Sequence, residues 1–183
     1  MWGVEPNTEM RSVARSRLPR TVGLRSGSAE ALPFRDGWFD RVVFSLVVHL
    51  VDRGCAFPEA ARVLAPAGRV VVATFAHEHF ETYWAARFFP SIGEIDRKRF
   101  PTEQQLAEEL AAAGFTDVTS EHVSSRQTIT REHALDRIRG RHISTFDLLG
   151  AEELRKGTSR AERELPAEVD VRLEQLVVAA VRL

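Results

Sequence analysis

The sequence predicts an α/β domain built on a doubly wound, mostly parallel sheet, closed by an antiparallel C-terminal strand. Three observations carry this. Phe39 to Leu46 and Val70 to Phe75 are near-continuous apolar runs, the pattern of strands buried on both faces. Strand and helix patterns alternate through the first two-thirds of the chain. The 183 residues, 44% hydrophobic and 28% charged, suit one globular domain with its own core.

The elements follow in order. Trp2-Gly3-Val4 reads as the end of a strand. Pro6-Asn7-Thr8 opens a helix over about Glu9 to Arg17, with Met10, Val13 and Ala14 sharing one face. Thr21 to Leu24 is a weak strand, and Phe39 to Leu46 is a strong one. Pro58 to Leu64 reads as a short helix with proline near its first turn. Pro66-Ala67-Gly68 is a turn before the strand Val70 to Phe75. His77 to Pro90 is aromatic-rich and helical in pattern, a stretch better suited to packing than to capping an apolar substrate. Thr102-Glu103-Gln104-Gln105 is a capping box, opening a helix that Gly114 stops. A strand of open length lies within Phe115 to Thr128, and Arg131 to Arg141 is helical. Gly157 to Pro166 is polar and loop-like, and Leu176 to Val181 is a buried terminal strand. The expected organisation is a single domain over 1–183. Residues 1–75 form one half, and 76–183 supply later segments and the C-terminal strands.

Composition excludes several functions. Lys+Arg is 25 and Asp+Glu is 26, a net charge of -1, so no single-sign field is available to hold nucleic acid or an anionic membrane. One cysteine, Cys55, allows neither an internal disulfide nor a cysteine-based zinc site, which fits a cytoplasmic protein. Cys55 reads as an inert packed thiol, with no base paired to it. No run approaches the ~20 apolar residues of a membrane span. The N-terminus lacks the basic and apolar regions of a signal peptide. Homo-oligomerisation is left open.

In an open α/β sheet, ligands bind beyond the carboxyl ends of the strands. There the sequence places Glu5-Pro6, Ser28-Ala29-Glu30, Ser45-Leu46 with His49 beyond, and Ala76 to His79. An acid such as Glu5, ending a strand, can accept hydrogen bonds from both hydroxyls of a ribose. A solvated acid at a helix N-terminus is the alternative account. His49 is a weak candidate general base, and an ordinary helix-start histidine is the plainer account. His77 and His79 could share a face in an extended segment, but no third metal ligand is evident, so no metal is expected.

Taken in order, these segments resemble the class I S-adenosylmethionine-dependent methyltransferases, in particular methyltransferase type 11. Gly3-Val4-Glu5-Pro6-Asn7-Thr8-Glu9-Met10 resembles the acid-ended second strand and its helix. Gly27-Ser28-Ala29-Glu30-Ala31-Leu32-Pro33-Phe34, followed by Phe39-Asp40-Arg41-Val42-Val43, resembles the adenine loop and fourth strand. Glu59-Ala60-Ala61-Arg62-Val63-Leu64-Ala65-Pro66-Ala67-Gly68-Arg69-Val70 resembles the next helix, turn and strand. Gly114-Phe115-Thr116-Asp117-Val118 is similar to the start of the sixth.

The resemblance implies a Rossmann-like sheet, S-adenosylmethionine as cofactor and a small-molecule acceptor. It implies that Glu5, beside Pro6, binds the ribose. Ser28 and Ala29, with Glu30 beside them, line the adenine, the Ala29 N–H pairing a ring nitrogen. Ser45 and Leu46 approach the methionine part. Three departures stand out. Many members carry Asp where this chain has Ser28. The usual Pro-Gly-Gly is here Pro66-Ala67-Gly68, which costs about 1–2 kcal/mol if Ala67 must take a positive φ. The family's first strand and glycine-rich loop normally precede the Glu5 segment, and only Met1 and Trp2 precede it here. The expectation is therefore a truncated methyltransferase with an incomplete sheet. A non-catalytic remnant or a partner-dependent subunit is the alternative. A nicotinamide-dependent oxidoreductase shares the ribose acid but not the Leu-Pro-Phe and Phe-Asp segments.

Overall fold

The computed structural model describes residues 1–183 as six strands and seven α-helices. In chain order they are β1 (Trp2–Val4), α1 (Thr8–Arg17), β2 (Gly23–Arg25), β3 (Phe39–Ser45), α2 (Arg53–Val63) and β4 (Leu64–Phe75). Then come α3 (His79–Thr82), α4 (Ser91–Arg99), α5 (Glu103–Ala112), β5 (Phe115–Thr130), α6 (Arg131–Arg139), α7 (Ala151–Glu164) and β6 (Glu168–Arg182). Short 3-10 turns cover Trp84–Arg87 and Ser144–Leu148.

Caps fix several starts. Asn7 Oδ1 accepts from Met10 N at 2.9 Å and opens α1. Asp52 accepts from Gly54 N at 2.9 Å and opens α2, five residues ahead of the expected Pro58. Pro58 thus sits inside the helix, not at its first turn. Thr130 accepts from His133 N and turns β5 into α6.

The strands form two sheets. β1 and β2 pair in parallel, Trp2 against Gly23 and Val4 against Arg25. The other four run in the order β3-β4-β6-β5. β6 is antiparallel to β5, because Thr116 meets Val181, Thr119 meets Ala179, Ser124 meets Glu174 and Thr128 meets Asp170. It is antiparallel to β4 as well, since Arg182 reaches the Leu64 carbonyl while Ala76 N donates to the Glu174 carbonyl. The mixed α/β architecture with one antiparallel C-terminal strand is therefore as the sequence implies.

β3 differs from expectation. It is a sheet-edge strand, and Arg41 and Val43 are exposed, Val43 at 62%. The apolar run is real, but only Phe44 is buried. The expected apolar face of α1 is likewise uncovered: the helix buries no residue, and Met10 is 57% exposed.

β4 starts at Leu64, so the expected turn lies inside the strand. Ala67 has φ +60° there. A Cβ at Gly68 would lie 2.7 Å from the Ala65 carbonyl oxygen, so the glycine is needed for close backbone approach. Ala67→Gly is expected to raise stability by about 0.5–1 kcal/mol, the relieved strain exceeding the added chain entropy. A urea-denaturation midpoint at or below that of the native chain would contradict this.

The chain divides into two compact units. The first comprises Met1–Val72, Gln104–Ser120 and Val178–Leu183. Its core includes Phe44, Phe57, Val63, Leu64, Val70, Leu106, Leu110 and Val178, with Phe44 and Phe57 edge to face at 5.6 Å. Arg53 joins α2 to α5 through a two-pronged ion pair with Glu109, at 2.6 and 3.0 Å.

The second unit comprises Ala73–Glu103 and Glu121–Val177. Its core gathers Phe88, Phe89, Ile92, Leu135, Ile138, Phe146 and Leu165. The segment expected to be a loop, Gly157 to Pro166, belongs largely to α7. Gly157 is buried in that helix, where an added Cβ would lie 2.3 Å from the Phe89 ring.

Candidate functional site

The site residues lie in the first unit. The parallel pairing of β1 and β2 brings their carboxyl ends side by side, and Glu5 N donates to the Arg25 carbonyl at 3.1 Å. The chain leaving β2 then crosses at Gly27, where a Cβ would lie 2.9 Å from Pro33 and 3.2 Å from Val4. Glu5 and Ser28 are thereby held at one end of the pair. Glu5 Oε1 accepts the Asn7 N–H at 2.8 Å, close to the start of α1, where the helix dipole favours a negative charge. Its Oε2 carries no protein hydrogen bond. One oxygen of the carboxylate thus serves the start of α1, as the helix-terminus account of Glu5 expects.

The Ser28–Asp36 loop is lashed to α2. Leu32 N donates to Glu59 at 2.8 Å. Arg62 donates to the Leu32 carbonyl at 3.0 Å, the Phe34 carbonyl at 2.8 Å and the Asp36 carboxylate at 2.7 Å, and it pairs with Glu59. The Arg62 hydrogen bond holds the Glu59 carboxyl below its usual range, and Glu59 and Asp36 raise the guanidinium further. Sequence reasoning quoted Glu59 and Arg62 only as part of a motif. Their opposite charges at i and i+3 were the available signal.

Glu30 ties the loop to the start of α2. Its Oε1 accepts from Asp52 N at 2.9 Å. The backbone N–H groups of Glu30 and Asp52, with the Ser28 hydroxyl nearby, hold the Glu30 carboxyl below the usual range. β3 ends at Ser45, which is exposed, and Leu46 follows in the left-handed region at φ +52°, a conformation costing a non-glycine residue about 1–2 kcal/mol. His49 lies half-buried in the turn closed by Leu50 N and the Val47 carbonyl. Cys55 is exposed and not packed as expected, and the Asp52 carboxylate pushes its thiol up, which disfavours the nucleophilic thiolate.

The histidines after β4 are used in packing. His77 Nε2 lies 3.0 Å from the Phe100 carbonyl, and His79 is buried and stacked on Phe75. No group of three His, Cys, Asp or Glu is arranged to hold a metal ion.

Residues 1–72 match the family described as a methyltransferase domain. They cover Glu5, the Ser28–Asp36 loop, β3 and the Glu59–Arg62 clamp. An uncharacterized methyltransferase of Mycobacterium tuberculosis is 46% identical over 67 residues, 37% of this chain and 27% of that protein. The chain spans between about a quarter and about half the length of the curated relatives it matches. Among solved structures, a protein from an antibiotic biosynthesis pathway of Anabaena variabilis superposes with a TM-score of 0.68 at 20% identity, covering 96% of this chain and 80% of that one. Phosphoethanolamine N-methyltransferase 2 of Haemonchus contortus, in complex with S-adenosyl-L-methionine, gives a TM-score of 0.55 at 18% identity, covering 99% and 43%. The chain thus shares its fold with these solved structures.

The Glu5 carboxylate oxygen without a protein hydrogen bond and half-buried Ser28 and Ala29 stand at one end of the β1–β2 pair, while exposed Ser45 and Leu46 lie at the end of β3, a strand of the other sheet. No helix of the chain is long and apolar enough to cross a membrane.

Proposed function

We propose that this chain takes part in S-adenosylmethionine-dependent methyl transfer to a small-molecule acceptor. The observation that carries the reading is the gathering of the Glu5 carboxylate and the Ser28-Ala29-Glu30 loop at one end of the β1–β2 pair. In this reading Glu5 Oε2 accepts from the ribose hydroxyls and Pro6 starts the turn beside it. Ser28 accepts from the adenine amine, and the Ala29 N–H meets a ring nitrogen. Ser45 and Leu46 flank the methionine end, with Leu46 holding the chain in its tight turn. A bound sulfonium supplies an activated methyl group, so proximity and in-line orientation of the acceptor account for much of the rate. His49 is the candidate to take a proton from an acceptor that must lose one. The near-zero net charge supports a small acceptor over a nucleic acid.

Calorimetric titration with S-adenosylhomocysteine tests the reading. Glu5→Ala removes charge-assisted hydrogen bonds and is expected to weaken binding about 10- to 30-fold. Absence of binding by the native chain would sink the reading.

One observation favours a second reading, a subunit that needs a partner strand. The six strands fall into two sheets, and β3 presents an exposed edge with Val43 uncovered. Tight binding of S-adenosylhomocysteine by the isolated chain would count against it.

A further inference from the structure

The second unit holds a pocket of about 650 Å³, within the range of about 300–1,000 Å³ of small-molecule sites. Its lining comes from α3, the Trp84–Arg87 turn and the chain that enters β6. We propose that this pocket binds a small organic cation, an ammonium group carried on a short hydroxylated chain. The site needs none of the residues of the methyl-transfer reading, which lie in the first unit.

The apolar part of the lining is the buried edge of the core, Phe88, Leu165 and Val169. The aromatic part is Tyr83 and Trp84, both half-buried. Their ring centroids are 5.8 Å apart and their planes are tilted by 57°, so they make a corner and not a flat stack. Ring faces set at an angle suit an ammonium group, which is attracted to the negative face of an aromatic ring, most strongly where water is excluded. The charged part is acidic. Glu81, Glu168 and Asp170 are exposed carboxylates, set against one guanidinium, Arg87. Arg87 is already engaged, 3.8 Å from Glu164 and 5.5 Å over the Phe88 ring. Asp170 spends one oxygen on the Thr128 hydroxyl at 3.1 Å, and Glu81 and Glu168 make no ion pair. These carboxylates attract a cation and repel an anion. Trp84 Nε1 is buried without a hydrogen-bond partner. An indole N–H can only donate, so an oxygen on the ligand would satisfy it.

The probes are choline and 3,3-dimethylbutan-1-ol, its uncharged counterpart of the same shape, each titrated calorimetrically into the full chain. The native chain is expected to bind choline about tenfold or more tightly than the alcohol, and the choline affinity should fall as salt is raised. Glu81→Gln and Glu168→Gln together should weaken choline about three- to tenfold and leave the alcohol unchanged. Trp84→Leu keeps apolar bulk against the core and removes a ring face, so it should weaken choline about tenfold. The double carboxylate change alters exposed side chains alone, so it decides the matter even if Trp84→Leu fails to fold. Absence of choline binding, equal affinity for the two probes, or a doubly neutralised chain that binds choline as the native chain does would overturn the proposal. Each of these outcomes leaves the methyl-transfer reading standing, because S-adenosylhomocysteine binding tests that one separately.

Discussion

Arg62→Ala is expected to lower the stability of the chain by about 3 kcal/mol, because hydrogen bonds to charged groups contribute about 1.5–3 kcal/mol each and several are lost together. The guanidinium donates to two backbone carbonyls, of Leu32 and Phe34, and to the carboxylates of Asp36 and Glu59. Removing it leaves Glu59 partly buried, with only Leu32 N for company. The Asp36 contact contributes little, because that carboxylate is largely solvated. Arg62→Lys should recover less than half of the loss, since an ammonium cannot reproduce the planar fork that reaches both carbonyls. The loop should also loosen, with faster amide exchange from Ala31 to Phe34 than in the native chain. A urea midpoint for Arg62→Ala within about 0.5 kcal/mol of the native value, the range of an ordinary surface change, would show that the clamp carries no weight. Because the clamped loop bears Ser28 and Ala29, the same variant should bind S-adenosylhomocysteine more weakly than the native chain. Asp36→Ala should leave both stability and binding near native.

That clamp shows where the sequence was informative and where it was not. The strand-end positions of Glu5, Ser28 and Ser45 were legible because short apolar runs mark the strands they close, the ends where an α/β sheet takes its ligands. Glu59 and Arg62 fall on a helix, and a pair at i and i+3 looks like ordinary surface charge. Nothing local says that Arg62 reaches back to Leu32 and Phe34. The α7 helix was misread for a related reason. Gly157 and its polar neighbours carry low helix propensity, and Gly costs about 1 kcal/mol in a helix interior. In the folded chain a side chain at 157 would collide with Phe89, so the residue that argues against a helix is the one its packing requires. The exposure of Val43 and Met10 was invisible for the opposite reason. An apolar pattern reports what a segment can bury, and the pairing of β3 on one side only is a property of the assembled sheet.

The second large effect is expected from pH. His79 is 4% exposed and stacked on Phe75 at 4.2 Å, with the edge of Phe80 at 5.7 Å and Tyr83 at 5.4 Å. Burial pushes its pKa down to about 4, and the Glu174 carboxylate and the Arg172 backbone offset only part of this. The unfolded chain takes up a proton at this histidine near its ordinary 6.5, while the folded chain resists until about 4. Between those values the unfolded state binds more protons, so stability falls as pH falls. At about 1.4 kcal/mol per pH unit, acidification across that window should remove about 3 kcal/mol. Glu174, held low by the Ser124 hydroxyl and Arg172, acts in the same direction but only below its ordinary 4.5. Asp96, whose burial raises its pKa above 3.8, acts in the opposite direction. The interval from pH 6.5 to 5 therefore isolates His79 from Glu174, and any contribution of Asp96 there opposes the decline. His79→Phe keeps an aromatic ring against Phe75 and removes the titration, so its denaturation midpoint should stay nearly flat where the native chain declines. Equal slopes for the two chains in that interval would place the acid sensitivity elsewhere.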